Sequence, residues 1–124
     1  MSMIEKLVEA LTAEFQGDVV FTASVPPTIT PPSVVVAPGE PFIVPSTHGT
    51  VQESWRVLVA VSIKEPKTGI DKMRELSLRV RKAVVSVGGL WVQAGGPYQA
   101  QQTNALTVIS ANEVHLKYLT EETT

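Results

Sequence analysis

Seven of the nine prolines in this 124-residue chain fall between Val25 and Pro45. Proline fixes φ and carries no N–H, so it breaks helices and is tolerated in sheets only at edges and bulges. Pro26-Pro27, Pro31-Pro32, Pro38, Pro41 and Pro45 therefore exclude a helix and leave only the short run Ser33 to Ala37 free to pair as a strand. The expectation is an extended Pro-rich arm or loop over residues 25–50. Its apolar content, with Ile29, Val34, Val36, Phe42 and Ile43 among others, exceeds what a solvated linker carries. Two placements are open: the arm wraps its own domain, or it lies across a neighbouring subunit. The second is taken as the expectation, because prolines pre-extend a segment and lower its ordering cost on docking. Val34, Val36, Phe42 and Ile43 are then candidate assembly-interface residues. Recognition as a P-x-x-P ligand is disfavoured by the absence of a flanking Arg or Lys.

On either side of this stretch the patterning is regular. Ser2 to Gln16 places Ile4, Leu7, Val8, Leu11 and Phe15 at helical spacing, with Ser2 and Glu5 as a capping box and Gly17 as the stop. Residues 52–64 alternate strictly: Trp55, Val57, Val59, Val61 and Ile63 on one side, Arg56, Leu58, Ala60, Ser62 and Lys64 on the other. That is a long strand with one strongly apolar face. Thr68 and Asp71 open a second helix over 68–87, with Ile70, Met73, Leu76, Val80, Ala83, Val84 and Val87 as its stripe and Gly88-Gly89 as its end. Closing strands are predicted over 90–118, with turns at Gly95-Gly96-Pro97 and an interruption at Ala111-Asn112, before a polar, flexible tail over 119–124. The fold class is α+β: a single domain with a mostly antiparallel sheet of four to six strands and two helices packed on one face, namely the face of Trp55, Val57, Val59 and Val61.

Composition removes several kinds of chemistry. There is no cysteine, and the two histidines, His48 and His115, are far apart in sequence, which excludes thiolate sites and a His-rich metal centre. No apolar run approaches a membrane span, and Met1-Ser2-Met3-Ile4-Glu5-Lys6 does not read as an export signal, so the expected compartment is a cytoplasm. Ser46-Thr47-His48 lacks the G-x-S-x-G elbow of a nucleophile, and reads as a polar loop. Gly88-Gly89 and Gly95-Gly96 lack dinucleotide-binding spacing. The expectation is no catalytic, cofactor-binding or metal site and no enzymatic activity. A runner-up of another class is a small α+β enzyme whose active site forms between subunits.

The net charge is −2, yet residues 64–82 carry seven basic against three acidic side chains, a local excess of four positives. A solvated helix face is the ordinary explanation. The alternative is electrostatic docking, with Arg74, Arg79, Arg81 and Lys82 at a subunit or DNA-facing surface.

The order of these elements carries a resemblance over nearly the whole chain. An amphipathic N-terminal helix, a Pro-rich stretch leading into Pro32-Ser33-Val34-Val35-Val36, the strand Trp55 to Val61, a helix opening at Thr68-Gly69-Ile70-Asp71 and closing strands around Tyr98 resemble the tail terminator proteins of long-tailed, non-contractile bacteriophages. The resemblance is one of size, order and texture, and other phage neck, head-completion and tail-completion proteins share it. It implies a homohexameric ring at the head-proximal end of the virion tail, assembled in the host cytoplasm. The ring would stop polymerisation of the tail tube protein, face the head–tail connector or neck protein, and let DNA pass. It implies no membrane partner and no bond-making chemistry.

Overall fold

The computed structural model describes residues 2–17, 19–24, 33–47, 49–62, 66–95, 98–102 and 105–119. Expectations for residues 25–32, His48, Ile63, Lys64 and residues 120–124 lie outside the described residues. The chain is α+β, in the order α1 (Met3–Phe15), β1 (Val19–Phe21), β2 (Ser33–Pro45), β3 (Thr50–Ser62), α2 (Pro66–Ser86), β4 (Leu90–Ala94), β5 (Tyr98–Gln102) and β6 (Ala105–Leu119). Six strands occupy five positions in one sheet, β1-β2-β3-β6-β4, because β5 follows β4 along the same edge of β6. All neighbours are antiparallel except β1 and β2, where Val19, Val20 and Phe21 pair with Val34, Val35 and Val36.

Local chemistry sets the helix ends. The Ser2 side chain accepts a hydrogen bond from the Glu5 backbone N–H at 3.3 Å, as an N-cap does, and its hydroxyl donates to Glu5 Oε1 at 3.0 Å, a side-chain pairing in place of the reciprocal backbone bond of a full capping box. The stop differs from the expected glycine: Gln16 takes the left-handed conformation at φ 48°, and Gly17 follows it. Helix α2 begins at Pro66, two residues ahead of Thr68, consistent with proline's fit to the first helical turn. It closes through Gly88 at φ 81°, with Gly89 N–H donating to Val84 O at 2.9 Å.

Both helices lie on the face predicted for them. Leu7 and Leu11 of α1 and Met73, Leu76, Val80, Ala83 and Val84 of α2 pack against Trp55, Val57, Val59 and Val61 of β3, with Val114 and Leu116 of β6. Side chains of this kind each contribute about 1.5–3 kcal/mol when fully removed from water. The two helices are joined by Arg79, whose Nε donates to Glu14 Oε1 at 3.2 Å and whose guanidinium stacks over Phe15 at 4.7 Å.

The proline-rich stretch departs from expectation. Over Ser33–Pro45 it is a strand of the domain's own sheet, flanked by β1 and β3, rather than an irregular arm. Sheet pairing with β3 holds from Ser33 to Pro38, breaks, and resumes from Ile43 to Pro45. Four residues of β2, Gly39 to Phe42, stand against the single Ser54 of β3, so Pro38 is the last paired residue before the bulge and Pro41 lies within it. Missing N–H groups are tolerated there because the ladder is already interrupted. Gly39 fits inside because its backbone lies against Ser54, where an added Cβ would sit 3.0 Å from the Ser54 carbonyl oxygen.

The last strand also differs. Residues 105–119 form one strand without a break at Ala111-Asn112. Asn112 is fully buried; its amide donates to Val57 O at 3.2 Å and its carbonyl accepts from Trp91 Nε1 at 3.0 Å. A polar side chain with both ends partnered stays in the strand instead of turning the chain out to water. On the face away from the helices, Val35, Leu58, Ala60 and Ile109 form a second, smaller buried cluster.

Candidate assembly surfaces

The eight candidate interface residues separate into three groups. Val34 and Val36 do not lie at a surface: they are 7% and 0% exposed, inside the main core. The reason is register, since β2 inserts between β1 and β3 and turns these two valines under the helices. Arg79 and Lys82 share the one carboxylate of Glu14 on α1, at 3.2 and 3.5 Å, which offsets one of their two charges, and Lys82 stays exposed. Phe42, Ile43, Arg74 and Arg81 are exposed.

Among the described residues, nine large apolar side chains are exposed, and they fall into two places. The first is the β1 margin with the β2 bulge: Val20, Phe21, Phe42 and Ile43. Trp55 joins Phe21 and Phe42 of this group. Its indole is buried, with the Phe21 ring at 5.5 Å and the Phe42 ring edge-on at 5.1 Å. Its Nε1–H donates to Glu53 Oε1 at 2.9 Å, and the Tyr118 hydroxyl donates to the other carboxylate oxygen. That hydrogen bond, then burial, then the nearby negative charge push the Tyr118 phenol up to about 12.

The second place is the opposite margin: Ile70, Leu78 and Val85 on α2, with Leu90 and Val92 on β4, where Leu90, paired with His115, lies on the sheet face away from the helix. The three helical residues are 51%, 54% and 54% exposed. Ile70, Arg74, Leu78, Arg81 and Val85 recur at helical spacing, so they form one row along α2, turned away from the core stripe. Beside the row runs a groove of about 300 Å³ whose walls include Ile70, Arg74 and Leu78 on the helix side and Trp91 and Ala94 on the strand side. Sequence reasoning missed this row because Ile70 was assigned to the core stripe. The signal available was the second apolar period through Leu78 and Val85.

No three His, Asp or Glu side chains among the described residues are grouped as metal ligands. His115 lies on the face away from the helices, half-buried and 3.9 Å from Glu113. A hollow on that face has Glu40, Arg56, Gln93 and Glu113 in its walls, and Arg56 Nε donates to Pro38 O at 3.0 Å. Among the described residues, no helix is long and apolar enough to cross a membrane. No protein-family model matches the sequence, and no curated protein matches it either.

Proposed function

We propose that this protein is a self-assembling structural subunit that closes into a ring and serves as a tail terminator of a long-tailed, non-contractile phage. One observation supports this most: the exposed large apolar side chains of the described residues divide between two unlike patches at opposite margins of one sheet. A subunit with two different sticky margins makes head-to-tail contacts, and such contacts give a closed ring when the rotation between copies divides a full turn. Exposed apolar groups of this extent mark interaction surfaces in soluble domains. The phage assignment rests on the resemblance in element order and size. The ring caps the tail tube protein, joins the tail to the head connector and leaves a passage for DNA. The test is the mass of the purified protein by light scattering across a concentration series, with negative-stain microscopy of the largest species. Closed rings that stop tube elongation when added to polymerising tail tube protein are expected. A strict monomer at every concentration, alone and with the tube protein, overturns the reading.

A further inference from the structure

We infer that residues 25–32, the first part of the proline-rich stretch, cross the sheet face away from the helices and cover Val35, Leu58, Ala60 and Ile109 of their own chain, with Ile29 as the anchor. This placement goes beyond the ring reading and does not depend on it.

Burial is the first observation. Leu58 and Ile109 are 2% and 4% exposed, yet every described helix packs on the opposite face and every described strand lies within the sheet. A leucine or isoleucine on an uncovered sheet face keeps its outer side in water, so a further layer of chain must lie over this cluster. Of the stretches outside the described residues, 25–32 is the longest, and the tail Thr120-Glu121-Glu122-Thr123-Thr124 has no apolar side chain to offer.

Handedness is the second observation, and it is independent of burial. Strands β1 and β2 are parallel neighbours, so the chain from Phe21 to Ser33 must return across one face of the sheet. Strands β3 and β4 are also parallel, since both run antiparallel to β6, and α2 connects them across the helix face. Crossovers between parallel strands of one sheet are nearly always right-handed. Viewed from the helix side with β3 pointing up, a right-handed β3–α2–β4 unit puts β4 to the right of β3, and β1 and β2 then point down on the left. With β1 turned to point up, β2 stands on its left, so a right-handed passage from β1 to β2 runs behind the sheet. The two connections therefore take opposite faces.

Length and composition fit that route. Strand β6 lies two strand spacings from β2, about 10 Å, and eight extended residues reach about 26–29 Å, enough to pass over Ile109 and return to Ser33. Four of the eight, Pro26, Pro27, Pro31 and Pro32, have no N–H, which leaves few backbone donors to be stranded on an apolar surface. Ile29, between the two proline pairs, is the largest aliphatic side chain of the segment.

The sequence has no cysteine, so a single introduced thiol reports on its own surroundings. In full-length Ile29→Cys, reaction with a thiol reagent is expected to be about a hundredfold slower in the native protein than in the same variant unfolded in urea. Adding Leu58→Ala takes away the wall beneath position 29 and should speed its labelling about tenfold. Leu11→Ala, a matched truncation in the core on the opposite face, should leave that rate nearly unchanged although it too lowers stability. Ile109→Val serves in place of Leu58→Ala if the latter fails to fold. Labelling is repeated over a dilution series with the mass followed by light scattering, and the rate should stay constant as assemblies dissociate. A thiol at position 29 that reacts as fast in the native protein as in urea overturns the placement. Equal acceleration by Leu11→Ala and Leu58→Ala overturns it as well, because residue 29 then does not lie on this face. Protection that disappears with dissociation also overturns it, because the cover then comes from a neighbouring copy. The ring reading is decided separately, by the masses.

Discussion

The two halves of strand β2 come from one proline-rich stretch and end in opposite environments. Val34, Val35, Val36 and Ala37 are buried in the sheet, whereas Phe42, at the end of the bulge, and Ile43, where pairing resumes, are exposed. The basic residues of α2 divide in the same way: Arg79 is bound to Glu14 and stacked on Phe15, while Arg81, two residues on, faces solvent. In both cases residue type is nearly constant across the divide. What differs is whether the chain itself supplies a partner. A residue with an internal partner contributes to folding, and a residue without one is left for another molecule.

The largest expected effect breaks the comparison inside β2. Val36→Asp places an unpaired carboxylate in the core and should cost more than about 3 kcal/mol, enough to unfold a marginal domain. Ile43→Asp, seven residues further along, should leave unfolding within about 0.5 kcal/mol of wild type while abolishing self-association. Urea unfolding of both variants, beside their masses, reads the difference. Equal destabilisation by both would show that the outer half of β2 is as integral as the inner half.

A smaller effect sharpens the comparison on α2. Arg79→Ala removes a partly exposed ion pair, a bond to the Glu14 carbonyl and the stacking on Phe15. With solvent screening of a group about one-third exposed, the loss should be about 1 kcal/mol. Arg81→Ala should change stability by less than about 0.5 kcal/mol. Thermal unfolding at low and moderate salt separates them, and a larger loss from Arg81→Ala than from Arg79→Ala would reverse the assignment.

A last effect concerns Tyr118, which lies close to the exposed patch yet has an internal partner in Glu53. The folded phenol is pushed up to about 12 from an unfolded value near 10. Its contribution to stability is therefore present in full below about pH 10 and is lost as pH rises through about 12. Tyr118→Phe removes the bond to Glu53, so it should lower stability by about 1 kcal/mol at pH 7 and flatten the fall in stability across that window. An unaltered alkaline stability profile would show that the Glu53 bond does not hold in solution.

The helices and the long β3 strand were legible because their periods are long and their caps are local. Leu7, Leu11, Met73, Leu76 and Val80 announce their faces through spacing, and Ser2 finds its partner three residues away. The candidate interface was legible only in part. Phe42, Ile43, Arg74 and Arg81 are exposed, but the same reasoning included Val34, Val36 and Arg79, whose partners come from elements distant in sequence. The exposed row Ile70, Leu78 and Val85 escaped because a helix with two apolar stripes looks, in sequence, like one broad stripe.

The sequence by itself determined the α+β class, the amphipathic faces and the face of β3 on which the helices pack, since each follows from side-chain period and capping within a single element. Tertiary structure decided that residues 33–45 of the proline-rich stretch join the sheet, because a bulge opposite Ser54 absorbs residues that regular pairing rejects. It also decided that Asn112 stays in β6, because Trp91 and Val57 arrive to satisfy both ends of its amide. Those partners lie 21 and 55 residues away along the chain, and only a folded sheet brings them within hydrogen-bonding distance.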